Sequence, residues 1–131
     1  MTVRARWSLA AVALAAVAAV VLLLWPRPPA GVDAVAGAGP YQVRLLVAAP
    51  SVGARDVLVE VTGPPAERVV VAPVMSAMGH ASVPVTAAAT APGRYRAVGV
   101  ELFMAGRWDV AVVVHGAGGP AEAVFPVVVG P

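Results

Sequence analysis

Apolar and polar positions divide the chain into two regions with different periodicities. Residues 9–24 form an unbroken apolar run whose side chains carry neither a charge nor a hydrogen-bonding group. After residue 40 the pattern changes to short valine-rich segments, which glycine or proline interrupts about every ten residues. Helical spacing of apolar residues does not recur after residue 25. The pattern therefore predicts one N-terminal helix followed by an all-β domain.

The apolar run, flanked by Trp7 and Trp25, has the length of a transmembrane helix. At about 1.5 Å per residue, segment 7–25 is about 28 Å long, close to the ~30 Å hydrocarbon core of a bilayer. Tryptophan is frequent at the headgroup level, and Arg4 and Arg6 on the short N-terminal side favour a cytoplasmic N-terminus. The sequence predicts a single-pass protein of the cell membrane with an extracytoplasmic C-terminal domain.

A cleaved signal peptide is the alternative, because it also joins a basic start to an apolar run. Its apolar region is usually shorter, about 7–15 residues, and here Pro26 follows the run at once. The triplet Ala34-Val35-Ala36 is a candidate cleavage site. Both interpretations export the rest of the chain, and the sequence leaves open whether the helix is removed.

The body of the chain predicts an immunoglobulin-like antiparallel β-sandwich of about seven strands. Trp108 is the largest expected core residue, and Pro126 predicts an edge strand or a bulge because proline cannot donate to a central ladder. The predicted strands are 41–48, 56–62, 68–73, 82–88, 93–98, 107–114 and 121–129. The predicted organisation is a cytoplasmic basic start at 1–6, a transmembrane anchor at 7–25, a Pro/Gly/Ala-rich linker at 26–40 and the β-sandwich at 41–131.

Composition and charge exclude several classes of function. The chain has no cysteine and no lysine, so it has no disulfide, thiolate nucleophile or Walker lysine. Its pI of about 9.9 rests on nine arginines against seven acids, and the balance is zero from Arg27 onward. The arginines are scattered, whereas a nucleic-acid binder clusters its cations. Paired carboxylates and a nucleophile elbow are also absent as local motifs, so we expect neither nucleic-acid binding nor enzyme activity.

Soft metal ligands occur in two segments that border predicted turns. Met75, Met78 and His80 lie in the first segment, and Met104 lies in the second. Thioether sulfur selects Cu(I), and imidazole binds copper in either oxidation state. The first segment contains no carboxylate, so an oxygen cage for calcium or magnesium is not expected there. If a metal binds, copper is the natural choice; the alternative is that the methionines fill the core and His80 is an ordinary turn residue.

The spacing in the first segment favours some ligands over others. Met78 and His80 are two residues apart and face the same side of an extended chain. Met75 faces the other side unless the chain turns at Ser76-Ala77. Met104 must come from a different strand, which the clustered loops at one end of a sandwich allow.

Three motifs resemble the YtkA-like domain, which is related to FixH-type proteins. They are MSAMGH at 75–80, PGRYR at 92–96 and MAGRWDV at 104–110, and the resemblance covers about 41–129. The family consists of small exported or single-span immunoglobulin-like domains, often associated with copper handling and with the assembly of haem-copper oxidases. Its members often have proline and more polar residues around the methionines, where this chain has Ser76-Ala77.

The resemblance implies a membrane-tethered, extracytoplasmic domain for copper binding or copper homeostasis. It implies Cu(I) as the cofactor and a membrane protein, such as an oxidase or a copper transporter, as the partner. The implied metal ligands are Met75, Met78, His80 and Met104. The alternative is a metal-free interaction module that contacts a membrane partner through its methionine-rich loop.

A glycine-rich segment near the C-terminus has a simpler explanation. The run HGAGG at 115–119 is similar to the oxyanion loop of some esterases, but no serine has the required setting. We expect a hairpin turn there. His115 is a further candidate for a peripheral copper ligand.

Overall fold

A computed structural model describes residues 3–27 and 30–131, which form one helix and nine β-strands. The first two residues of the predicted basic start, and Pro28 and Pro29 of the predicted linker, lie outside the described residues. The elements are α1 (Val3–Leu24), β1 (Val32–Ala38), β2 (Tyr41–Val47), β3 (Gly53–Thr62), β4 (Ala66–Met75), a 3₁₀ turn (Ser76–Met78), β5 (His80–Ala81), β6 (Val85–Ala91), β7 (Arg94–Leu102), β8 (Gly106–Gly116) and β9 (Gly119–Val129).

Helix α1 contains an 18-residue apolar window, Trp7–Leu24, that is long enough to cross a membrane. No part of this window is buried against other residues. Membrane anchors and signal sequences share these properties. The predicted apolar helix is therefore confirmed.

The strands confirm the predicted all-β fold. The seven strands β2, β3, β4, β6, β7, β8 and β9 form two groups with the orders β2-β3-β7-β6 and β4-β8-β9. This is the arrangement of a constant-type immunoglobulin sandwich, in which strands ABED face strands CFG. Pairing of β6 with β4 joins the two groups into one antiparallel sheet that curls into a near-barrel.

Strand β1 lies inside the segment that was expected to be a linker. It pairs with β2 along its whole length, from Val32 opposite Val47 to Ala38 opposite Tyr41. Its inward positions are mostly alanine, while Val35 points outward and is exposed, so the hydropathy does not alternate although the burial does. The prediction of a linker at 26–40 is therefore wrong for β1. The sheet begins at Val32 and the connection to α1 is residues 25–31.

The core is built from alternating strand residues and one large aromatic side chain. Trp108 is fully buried and is the largest side chain in the core, as expected, and Phe125 is next in size. Most of the remaining core residues are valine. Strand β9 is an edge of the sheet, and Pro126 is exposed on it, which agrees with the prediction from its proline. Among the described residues, none from α1 joins the core.

The connections between strands gather at two ends. We call one the entry end, because the chain enters the sheet there through Gly31, close to Ala48. Its connections are residues 48–52, 76–84 and 103–105. We call the other the hairpin end, and its connections are residues 39–40, 63–65, 92–93 and 117–118.

At the hairpin end, Tyr41 packs so closely against Gly116 that a side chain there would displace the Tyr41 ring. The Tyr41 hydroxyl donates to the carbonyl oxygen of Pro65 at 3.3 Å. A Cβ on Gly116 would lie 2.0 Å from the Tyr41 hydroxyl oxygen and 3.2 Å from the Pro65 oxygen. The HGAGG hairpin therefore packs against Tyr41 and against Pro65 of the β3–β4 connection.

Gly116→Ala should lower the free energy of unfolding by about 1–3 kcal/mol, because the Tyr41 ring must move and lose its hydrogen bond. Urea denaturation measures the change. Gly118→Ala is the matched control, since a Cβ there meets nothing within 4 Å, and it should change stability by less than about 0.5 kcal/mol. Equal effects of the two substitutions would contradict the steric explanation.

Exposed ion pairs link neighbouring strands from β1 to β7. Arg44 on β2 binds Asp33 on β1 through two hydrogen bonds of 2.7 Å and also reaches Glu60 on β3 at 3.2 Å. Arg96 on β7 binds Asp56 on β3. The hydrogen bonds from Arg44 and Arg96 hold the pKa of Asp33 and of Asp56, respectively, below the usual aspartate value.

These lowered pKa values give the sheet an acid-dependent contribution to stability. The unfolded carboxyl has the higher pKa, so this contribution is present above that pKa and is lost as the pH falls through the lower, folded value. In Arg96→Gln the stability should therefore fall less on acidification than in the original chain. The measurement compares the midpoint of urea unfolding at pH 7 with that below pH 4. Arg107→Gln is the control, because this exposed arginine makes none of the ion pairs found among the described residues. An unchanged acid dependence in Arg96→Gln would contradict the assignment.

Candidate functional site

The first methionine segment turns back on itself at the entry end. Residues Ser76–Met78 form a single 3₁₀ turn, and Gly79 follows in the left-handed conformation with φ of 64°, which suits glycine. Its N–H donates to the Ser76 carbonyl oxygen at 3.2 Å. Strand β5 then runs back along β4 and places His80 opposite Met75. The extended spacing considered for Met78 and His80 therefore does not apply, because the chain turns at Ser76-Ala77.

Two hydroxyl groups fasten this segment to neighbouring strands. The Ser76 hydroxyl donates to an Asp109 carboxylate oxygen on β8 at 2.8 Å. The Ser82 hydroxyl donates to the carbonyl oxygen of Glu101 on β7. The Ser82 N–H donates to the Pro73 carbonyl oxygen at 3.0 Å. The segment is thus held at both ends while its middle faces outward.

The four predicted ligands differ in exposure. Met75 is 4% exposed and belongs to the core, where its Cε lies 3.2 Å from the place that a Gly106 Cβ would occupy. Met78 is 56% exposed, Met104 is 36% exposed, and His80 is also exposed. The alternative of methionines as core residues therefore describes Met75 and does not describe Met78 or Met104.

The second methionine segment is positioned by Trp108. The indole N–H of this buried residue donates to the Met104 carbonyl oxygen at 2.9 Å. The Phe103 ring meets the Trp108 ring edge to face, with ring centroids 4.9 Å apart and an angle of 85° between the planes. The core tryptophan therefore fixes the backbone and one side chain of the 103–105 connection.

Phe103 also brings the two segments together. Its ring centroid lies 6.0 Å from that of His80, so one aromatic ring contacts both His80 and Trp108. Met78 and His80 from one connection and Met104 from another therefore lie at the same end of the sheet. The expectation that loops at a sandwich end would bring the two segments to the same place is confirmed for these segments.

The candidate ligand atoms in the two methionine segments are soft or borderline. They are the thioether sulfurs of Met78 and Met104 and the imidazole nitrogens of His80. Across residues 3–27 and 30–131 no group of three or more His, Cys, Asp or Glu side chains is placed to hold a metal ion. Thioether and imidazole suit Cu(I), whereas calcium and magnesium require oxygen ligands. The residues present therefore fit copper better than a hard cation.

His115 lies far from these residues. It stands near the end of β8 at the hairpin end, where its Nε2 accepts a hydrogen bond from Arg68 at 3.2 Å. At about 3.3 Å per residue, the length of β8 puts about 30 Å between His115 and the 103–105 connection. His115 therefore cannot share a metal ion with Met78, His80 or Met104, whereas the expected hairpin turn at HGAGG is confirmed.

Sequence reasoning did not single out two apolar residues at this end. Phe103 is 43% exposed although it touches the core tryptophan, and Val83 is 81% exposed just before Pro84. Both residues follow the last inward-facing position of a strand or hydrogen-bonded segment. The position of Phe103 beside a predicted turn was the available signal, because large apolar side chains are uncommon in turns. Val83 fell within the predicted strand 82–88 and gave no such signal.

No family model, no curated protein and no solved structure matches this chain. The YtkA-like resemblance therefore stays a prediction from its three motifs.

Proposed function

We propose that the chain is a membrane-tethered, extracytoplasmic domain that binds Cu(I) and buffers it or hands it to another protein. The ligands in this proposal are Met78, His80 and Met104. One observation carries it: the fold brings two separate connections to one end and leaves two thioethers and an imidazole exposed there. The YtkA-like motifs point to the same chemistry.

The exposure of these ligands favours transfer over permanent storage. A fully enclosed metal with four protein ligands exchanges slowly, whereas exposed ligands in a set of three let an incoming protein ligand attack the metal. Met75 is not needed, because its sulfur lies in the core while the other three side chains face outward. The Ser76, Ser82 and Trp108 hydrogen bonds hold the two connections in place, which reduces the entropy lost on binding.

In this proposal, helix α1 determines on which side of the membrane the β-sandwich lies. Arg4 and Arg6 favour a cytoplasmic N-terminus, which places the β-sandwich outside the membrane. A membrane protein that takes up or inserts copper, such as an oxidase or a copper transporter, is then a suitable partner. If the helix is removed after export, the same domain acts as a free carrier in the exported compartment.

Anaerobic titration with Cu(I) tests the proposal. The full chain is purified in detergent or in lipid nanodiscs and competes with a chromophoric chelator of known affinity. We expect one equivalent of Cu(I) to leave the chelator, and X-ray absorption to show sulfur and nitrogen scatterers together. Failure to withdraw Cu(I) from even a weak chelator, or a coordination shell made of oxygen only, would refute the proposal.

A metal-free interaction module is the second candidate. Val83 and Phe103 favour it, because they are exposed beside the methionines and have no atom that binds a metal. Soft methionine and aromatic surfaces serve as contacts for protein partners. Co-purification of the same membrane protein with and without a copper chelator would support this function, whereas loss of the partner on chelation would support copper transfer.

A further inference from the structure

Among residues 32–131, five large apolar side chains are exposed on the strands and five more in the connections of the entry end. The exposed residues there are Val52, Met78, Val83, Phe103 and Met104. The four connections at the hairpin end consist of glycine, proline and alanine only, so they present no large apolar side chain. The two ends of the sandwich therefore differ in the size of the apolar side chains that their connections expose.

The charged residues of the entry end lie in its strands and not in its connections. Its three connections contain no aspartate, glutamate, lysine or arginine. Charged residues begin in the adjoining strands with Arg55, Glu101 and Arg107. Arg55 folds back and donates to the carbonyl oxygens of Ser51 and Val52, at 2.9 and 2.7 Å. Inserting the tips of these connections into a less polar environment would therefore remove no water from a carboxylate or guanidinium of the connections themselves.

The tether holds the entry end close to the membrane. Helix α1 ends at Leu24 and β1 begins at Val32, so seven residues connect them. Even fully extended, this connection reaches at most about 28 Å. Trp25, just past the helix, belongs at the headgroup level of a bilayer that α1 spans. The hairpin end lies a further strand length away, about 35 Å for the 11 residues of β8.

We infer that the entry end docks onto the lipid surface next to its own anchor, with Val83, Phe103 and Met78 inserted at the boundary between headgroups and acyl chains. Exposed apolar side chains in connections without a charged residue suit this boundary, and the tether keeps the domain at a high effective concentration beside it. This docking goes beyond copper binding and does not require it. It does require that the helix stays attached.

Docking would also orient the candidate copper ligands. Met78 and Met104 lie in the connections of the entry end, so in the docked state they face the membrane plane, where a transporter or oxidase would offer its own site. In the undocked state they face the solvent. The membrane would therefore control when the ligands are accessible.

Single-cysteine labelling of the full chain tests the docking, and the absence of native cysteine makes each label unique. The chain is reconstituted into phosphatidylcholine vesicles that contain a nitroxide-labelled lipid as a fluorescence quencher, with a chelator present to exclude metal. A label on Val83→Cys should be quenched at least about threefold more than a label on Ala117→Cys at the hairpin end. Equal quenching at the two sites would overturn the proposal.

A charge substitution separates docking from random collisions of a tethered domain. Met78→Glu should reduce quenching of the label on Val83→Cys to the level seen at Ala117→Cys, because an ionised carboxylate is costly within a bilayer boundary. Ala117→Glu is the control and should leave the Val83→Cys signal unchanged. If Met78→Glu also has no effect, the quenching reports the tether alone and the proposal fails. If the label on Val83→Cys is protected from solvent only when a membrane protein is added, the surface binds protein and not lipid, and the proposal fails.

These outcomes are independent of the copper proposal. All measurements are made without metal, so a chain that docks and fails to bind Cu(I) refutes only the proposed function. A chain that binds Cu(I) in detergent and shows no lipid contact refutes only the docking.

Discussion

Replacing Trp108 with alanine should lower the free energy of unfolding by about 3–5 kcal/mol. The side chain is fully buried and is the largest in the core, so its removal leaves a cavity between the two strand groups. It also removes the hydrogen bond to the Met104 carbonyl oxygen and the ring contact with Phe103. Denaturation in urea, followed by circular dichroism of the strands, measures the effect. Because small domains are stable by only about 5–15 kcal/mol, this variant should lie close to unfolding.

Two further substitutions test whether the buried Trp108 ring causes this loss of stability. Trp108→Phe keeps most of the ring volume but loses the indole N–H, so it should cost clearly less than the alanine variant. Val128→Ala removes an exposed valine from the neighbouring strand and should change stability by less than about 0.5 kcal/mol. A Trp108→Ala variant as stable as Val128→Ala would show that the core does not depend on this residue.

Replacing both Met78 and Met104 with leucine should lower the affinity for Cu(I) by at least about tenfold for each ligand lost. Leucine keeps the apolar volume of methionine and removes the sulfur, so the fold and the exposed apolar surface are preserved. The competition titration with a Cu(I) chelator measures the loss. Combining the double substitution with His80→Ala should abolish measurable binding.

Met75→Leu is the matched control within the same segment. Its sulfur lies in the core, so Cu(I) affinity should stay within about twofold of the original chain. An affinity that falls as far in Met75→Leu as in the double variant would mean that the core opens to admit the metal, contrary to the proposed ligand set.

The leucine variants also distinguish the two candidate functions. A metal-free contact through apolar surface should survive the exchange of methionine for leucine, whereas copper transfer should not. Partner capture that persists in the double leucine variant, with Cu(I) binding lost, would favour the interaction module.

Much of the fold could be predicted from the sequence, because valine alternation and glycine or proline turns are local signals. The strand β1 was missed for a physical reason. Alanine faces the core along most of this strand while Val35 faces solvent, so hydropathy carried no sign of the burial that pairing with β2 produces. Long-range pairing determined this element, and no local pattern indicated it.

The candidate site shows a similar division. That soft ligands from two loops would meet at one end followed from the β-sandwich, and the structure bears this out for the segments. Which of the methionines in the first segment would be buried did not follow, because it depends on the left-handed Gly79 and on the return of β5 along β4. The position of the Phe103 ring likewise depends on its contact with Trp108, which lies on the following strand.

Strand β1 has a further consequence for the exported protein. The candidate cleavage triplet Ala34-Val35-Ala36 lies within it, so a protein cut there would lose most of this strand and the Asp33 partner of Arg44. Strand β2 would then become an unprotected edge, with free N–H and C=O groups beside Leu45 and Val47. Such an edge is a template for pairing with another chain. Keeping the segment intact would protect the domain from aggregation.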